Sequence, residues 1–155
     1  MKINTKKLLF LLAVPLAAGG LSALLAGGFG SYKGLNQPPL SPPGWVFPIV
    51  WSILYLLMGY SSYRILQAQK DSFKTRNALI AYGVQLLLNF LWSPVFFGLN
   101  WYLTAFFLLV LLWVAIFITM RLFSRLDQPA GDLLLPYLLW VTFAAYLNLG
   151  VFLLN

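Results

Sequence analysis

The side chains able to do chemistry in this chain are the few polar and aromatic ones that interrupt its long apolar runs, and they fall at helical spacing. Gln85, Asn89, Trp92 and Phe96 stand at i, i+4, i+7 and i+11, one face of an α-helix. Tyr137, Trp140, Ala144 and Asn148 repeat the pattern near the end of the chain, and Phe47, Trp51 and Tyr55 stand one turn apart in an earlier run. An amide facing an apolar medium is costly, so each stripe must turn inward. Two roles follow. The stripes can be glue, amides bonding from helix to helix, or they can wall a pocket in which flat rings stack on a ligand and a few polar groups orient it. Spacing alone leaves both open.

Missing residue types narrow the chemistry. The chain has no Cys and no His, which excludes disulfides, thiolate nucleophiles, zinc sites, imidazole bases and histidine-ligated haem. Its three acidic residues, Asp71, Asp127 and Asp132, all lie in polar connections. Acid–base or metal catalysis therefore has no residues to use inside the apolar runs, and no metal or cofactor is required. Coupled carriers place ionisable groups at mid-membrane, and these runs hold none. Passive movement of an apolar ligand stays open.

The elements that must position the stripes are membrane helices. Of 155 residues, 61% are hydrophobic and 8% charged, too apolar for one small soluble core. Runs of the roughly 20 residues that a membrane helix needs give an all-α bundle of five spans in one domain over 1–155, at about 8–28, 44–66, 77–98, 101–122 and 133–154. Residues 65–76 form a polar connection. Pro38, Pro39, Pro42 and Pro43 make 29–43 a stiff extended loop. Lys2, Lys6 and Lys7 before a Leu-rich run also resemble a signal peptide, but the run continues to Gly28, which favours a retained helix kinked at Pro15. Lys2, Lys6, Lys7, Arg64, Lys70, Lys74, Arg76, Arg121 and Arg125 fall on one side of such a bundle and Lys33 alone on the other. The positive-inside rule then makes the N-terminus cytoplasmic and puts the proline-rich loop and the C-terminus outside a cell membrane. That asymmetry accounts for the net charge of +7 with the lipid bilayer as partner and no nucleic acid.

Three blocks carry a family likeness. The segment from Pro42 through Gly44, Trp45, Phe47, Trp51 and Tyr55 to Gly59 resembles the signature of the translocator protein family, also called tryptophan-rich sensory proteins or peripheral-type benzodiazepine receptors. The block Gln85 to Gly98, with Asn89, Trp92 and Pro94, is similar to its third-helix motif, and Pro136 to Ala144 with Asn148 to its fifth. The resemblance implies a cavity open toward the first loop that binds porphyrins such as protoporphyrin IX and other hydrophobic small molecules, in a sensor, scavenger or transporter. On matching positions Trp51, Asn89, Trp92, Trp140, Ala144 and Asn148 would line it, with Tyr55 and Phe96 beside them, under a lid of Pro42, Pro43 and Phe47. Some bacterial relatives promote light-dependent porphyrin breakdown, a role the likeness would give to Trp51 and Trp140. Two family features are replaced, a lysine by Gln37 and an aromatic by Leu40, and no basic residue follows Arg125 to complete the sterol motif of animal relatives. Family dimers use small residues four apart on the third helix, whereas here that spacing falls on the first, at Gly19, Ala23 and Gly27. A homodimer is expected without a defined face.

Overall fold

A backbone surrounded by lipid must hydrogen-bond to itself, and in the computed structural model, which describes residues 2–28, 30–68 and 70–155, every regular element is helical. Residue 29, where the predicted lid loop begins, and residue 69, in the predicted polar connection, lie outside the described residues. The helices are α1 (Thr5–Leu25), α2 (Val46–Ala68), α3 (Ser72–Ser93), α4 (Tyr102–Leu126), a short α5 (Gln128–Asp132) and α6 (Leu135–Leu154). A wider turn at Pro94–Gly98 extends α3. Five segments are long and apolar enough to cross a membrane: Thr5–Leu25, Val46–Ala68, Ser72–Gly98, Tyr102–Leu126 and Gln128–Leu154.

Local hydrogen bonding moves the helix ends away from the limits of the apolar runs. Asn4 caps α1 by accepting from the Lys7 amide at 3.1 Å, so the helix starts at Thr5 rather than residue 8. Gly27 and Gly28, both at φ +79°, end it short of the expected residue 28. Asp71 caps α3 through the Lys74 amide at 2.9 Å, so that helix begins at Ser72 instead of 77 and the polar connection shrinks to a few residues. Likewise α4 continues through Arg121 and Arg125 to Leu126, beyond residue 122, because long basic side chains at a helix end reach water without breaking the backbone. The last span starts early, at Gln128, and breaks at Leu133 and Leu134 before α6. The first loop is not uniformly extended: Gly30–Gly34 forms a 3₁₀ turn, and Leu40 at φ +70° makes a bend in which Ser41 Oγ donates to the Pro38 carbonyl at 2.7 Å. Val46 rather than Gly44 opens α2, since the Val46 amide donates to the Pro43 carbonyl across a turn.

Packing is uneven, and the unevenness makes the site. The closest pairs are α3 with α4, α1 with α2 and α4 with α6, while α2 meets α3 and α4 sparsely. At the α1–α2 crossing a Cβ on Gly59 would lie 2.6 Å from the Leu11 carbonyl oxygen and 2.7 Å from Leu12 Cα, so glycine lets two backbones touch. At the basic end Arg64 of α2 clasps Asp127 with two donors, Nε at 2.6 Å and a terminal nitrogen at 3.2 Å, and Ser61 Oγ donates to the Ala130 carbonyl at 2.6 Å. Leu24, Leu87, Phe107 and Leu139 cover the outer faces, and Trp45 and Trp101 are exposed at the first-loop end, where interfacial tryptophans sit.

Gly59→Ala should lower the thermal unfolding midpoint in detergent, through overpacking strain of about 1–3 kcal/mol. Gly20→Ala, whose added methyl meets no atom within 4 Å, should leave it unchanged or raise it. Equal shifts in a circular-dichroism melt would contradict the close backbone crossing.

Candidate functional site

Where α2 stands apart from α3 and α6, aromatic rings fill the gap. Trp51 of α2 is their centre, with ring centroids 5.6 Å from Tyr55, 6.4 Å from Trp92, 6.1 Å from Tyr137 and 6.5 Å from Trp140. Tyr55 stacks on it, while Tyr137 and Trp140 meet it edge-on. Above, Phe47 lies 5.9 Å from Trp140 and 5.0 Å from Tyr32 of the first loop. On the α3 side Trp92 continues into Phe96 at 5.3 Å and Phe97 at 5.8 Å. Three spans and the loop thus contribute one face each to an aromatic box.

Beneath the rings runs a chain of buried hydrogen bonds. The Tyr55 hydroxyl donates to Asn89 Oδ1 at 2.9 Å, Asn89 Nδ2 donates to the Tyr137 hydroxyl at 2.7 Å, and that hydroxyl donates to Gln85 Oε1 at 2.7 Å. A second link lies toward the lid: Trp92 Nε1 donates to Asn148 Oδ1 at 3.0 Å, and Asn148 Nδ2 donates to the Tyr102 carbonyl at 2.7 Å. Both Asn side chains are therefore engaged within the protein on oxygen and nitrogen alike, as buried polar groups must be. The exception in the box is Trp140 Nε1, shielded and without a hydrogen-bond partner among the described residues. In the loop, the buried Tyr32 hydroxyl lies near Ser41 without reaching hydrogen-bond geometry, and burial raises its pKa, keeping it a neutral donor.

The free space divides in two around Trp92. Trp51, Tyr55, Asn89 and Trp92 line a cavity of about 180 Å³ whose other wall is Gly19, Gly20 and Ala23 of α1. Phe47, Trp92, Phe96, Ala144 and Asn148 surround a smaller void of about 20 Å³ under Tyr32. Trp140 instead lines an open groove on the outer face between α2 and α6. Pro42 and Pro43 line none of these spaces. The part of the loop that grips the bundle is earlier: Tyr146 donates to the Pro39 carbonyl at 2.7 Å, the Asn36 amide donates to Asn155 Oδ1 at 3.1 Å, and Asn155 Nδ2 returns a bond to the Asn36 carbonyl at 2.8 Å. Pro38 sits on Gly150, where a Cβ would approach to 2.5 Å. Gln37, at the position of the family's lysine, donates to the Tyr32 carbonyl at 2.9 Å.

Sequence reasoning missed Tyr32 and the α1 wall. A Cβ on Gly19 would collide with the Tyr55 ring, so the small residues Gly19 and Ala23 make room inside the chain. No local signal distinguishes that use from a helix–helix contact with a second copy. Tyr137 was visible as a stripe member, but that it bridges Asn89 and Gln85 depends on how α6 is rotated.

Comparison with known proteins points one way. The TspO/MBR family profile matches residues 11–154. The chain is similar to the Tryptophan-rich protein TspO of Chlorobaculum tepidum, 40% identical over 124 residues that cover 80% of this chain and 78% of that one. It is also similar to Protein CrtK of Rhodobacter capsulatus, 38% identical with 89% and 86% covered, and to the Translocator protein of Ovis aries, 39% identical with 78% and 72% covered.

Asn89→Leu removes the acceptor of Tyr55 and the donor to Tyr137 together, leaving two buried phenols short of partners. The substitution should cost about 1–3 kcal/mol of stability in detergent, read as a lower thermal midpoint. A variant as stable as the parent would mean that the hydrogen-bond chain does not hold the bundle.

Proposed function

The chain belongs to the TspO/MBR family, and from that premise we propose that it is a membrane sensor or scavenger that binds a porphyrin or a similar flat hydrophobic molecule in the box around Trp51. The observation that carries this reading is the convergence of Trp51, Trp92 and Trp140 with Tyr137 and Phe47 on one point between spans that do not pack tightly. Indole faces stack on a macrocycle, and the same rings close on each other when no macrocycle separates them. The cavity of about 180 Å³ is below the roughly 300–1,000 Å³ of small-molecule pockets, so the ligand must part the rings and lift the loop. Because Asn89 and Asn148 are already bonded, shielded donors such as Trp140 Nε1 and the Tyr32 hydroxyl remain available to a carboxylate or carbonyl. With nine basic residues at the opposite end, the lid faces the outer compartment and the N-terminus the cytoplasm. The names of relatives, sensory protein and translocator, fit a ligand-responsive membrane protein.

A second reading, light-dependent loss of the bound porphyrin, is favoured by one contact. Trp51 and Trp140 meet edge-on at 6.5 Å, so a porphyrin stacked on either would bring both indoles into its excited-state reach.

Titrating purified protein in detergent with protoporphyrin IX in the dark should quench tryptophan fluorescence saturably, and Trp51→Phe should weaken binding about tenfold through the lost stacking area. Absence of saturable quenching in the parent chain would end the proposal. Illumination then separates the readings: a stable porphyrin spectrum supports sensing, and bleaching that is lost in Trp51→Phe or Trp140→Phe supports degradation.

Tyr146→Phe deletes one latch bond on the loop and should speed porphyrin association several-fold, the loss of one half-exposed hydrogen bond of about 1 kcal/mol, with little change in the bound spectrum. Stopped-flow quenching reads this directly, and an unchanged rate would place the path elsewhere than under the loop.

A further inference from the structure

We propose that the groove between the end of α2 and the start of α3 binds an anionic phospholipid, with its phosphate on Lys70 and Arg76 and an acyl chain along Ile65, Leu66, Leu79 and Ile80. The groove holds about 530 Å³ and lies at the basic end of the bundle; it shares no residue with the two voids around Trp92. Its polarity is graded along the helices. Lys70 and Arg76 stand at the rim, whereas Ile80 is one turn, about 6 Å, deeper along α3, and Ile65 and Leu66 face it from α2. A head that is charged at the membrane surface above a floor that runs into the bilayer is the profile of a lipid rather than of a soluble anion.

Charge complementarity sets the sign of the headgroup. The ion pair among the described residues is Arg64 with Asp127, which neutralises that arginine and leaves Lys70 and Arg76 without a carboxylate partner. Asp71, next to Lys70, is not in the lining, and its Oδ1 is occupied in capping the Lys74 amide. Thr75 Oγ1, in the same lining, is shielded and has no hydrogen-bond partner among the described residues, which adds a neutral donor to the two cations. Basic side chains at a membrane surface attract anionic lipid, and an Arg adds a fork that matches two phosphate oxygens.

The test uses the full chain in detergent, incubated with equal amounts of phosphatidylglycerol and phosphatidylcholine, with retained lipid read by native mass spectrometry. The parent should retain phosphatidylglycerol selectively. Lys70→Ala with Arg76→Ala should weaken that binding roughly thirtyfold, and Arg76→Gln alone about fivefold, as expected for contacts to anionic lipid at a membrane surface. Lys6→Ala with Lys7→Ala, equal in charge but outside the groove, should weaken it far less, and Ile80→Ser should weaken the lipid without changing the binding of glycerol 3-phosphate. Equal losses in the two double variants, no selectivity in the parent, or displacement of the lipid by glycerol 3-phosphate as readily as by short-chain phosphatidylglycerol would overturn the proposal, the last in favour of a free phosphate site. Circular dichroism checks that each variant is folded, and porphyrin quenching, read at the other end of the bundle, stands or falls separately.

Discussion

Asn89 sits on α3 inside an apolar bundle, where neither water nor lipid can satisfy its amide. Its oxygen accepts from Tyr55 of α2 and its nitrogen donates to Tyr137 of α6, so a single side chain sets the rotation of three helices relative to one another. Turning any of them by one residue, about 100°, would strand an amide or a phenol in a medium that offers no substitute. The same rotation carries Trp51, Trp92 and Trp140 inward, because they lie on the faces that the hydrogen bonds choose. The aromatic box is thus a consequence of the polar chain below it, and Asn148, held by Trp92 and the Tyr102 carbonyl, repeats the constraint nearer the loop.

Under the proposed function, structure and binding draw on different atoms of this site. The amides look like ligand-binding groups in the sequence, yet each of their polar atoms is already engaged, which makes them parts of the scaffold. Trp92, Tyr55 and Tyr137 are tethered to those amides, whereas Trp51 and Trp140 meet their neighbours through ring contacts. The loop follows the same logic: its grip on α6 consists of a few surface bonds from Asn36 and Pro39 and the seat of Pro38 on Gly150. Each of these bonds is exposed, so water can replace it at little cost.

The two ends of the bundle are chemically unlike. The first-loop end carries exposed Trp45 and Trp101 and a loop with Lys33 as its single basic residue, whereas the other end gathers the remaining basic residues around the Arg64–Asp127 clasp. At that clasp α2 is tied to the α4–α5 junction, while nearer the lid α2 is separated from α6 by rings. One end of α2 is thus fixed by polar bonds and the other is packed by rings.

Much of this was legible in the sequence. Length and hydropathy gave five membrane helices, because lipid leaves helices as the form in which an apolar chain can satisfy its backbone, and the spacing of Gln85, Asn89, Trp92 and Asn148 gave the inward faces, because an amide in lipid has nowhere else to point. Helix ends were less legible, since caps at Asn4 and Asp71 and basic residues tolerated in a last turn obey local bonding rather than hydropathy. What only the tertiary structure decided is which inward groups meet. Tyr137 bridges Asn89 to Gln85, Gly19 yields to Tyr55, Trp140 keeps a free N–H, and Trp92 splits the interior into two voids, all through contacts between residues distant in the chain, whose partners depend on how the helices are rotated and how far apart they stand. Periodicity along one helix carries no information about that.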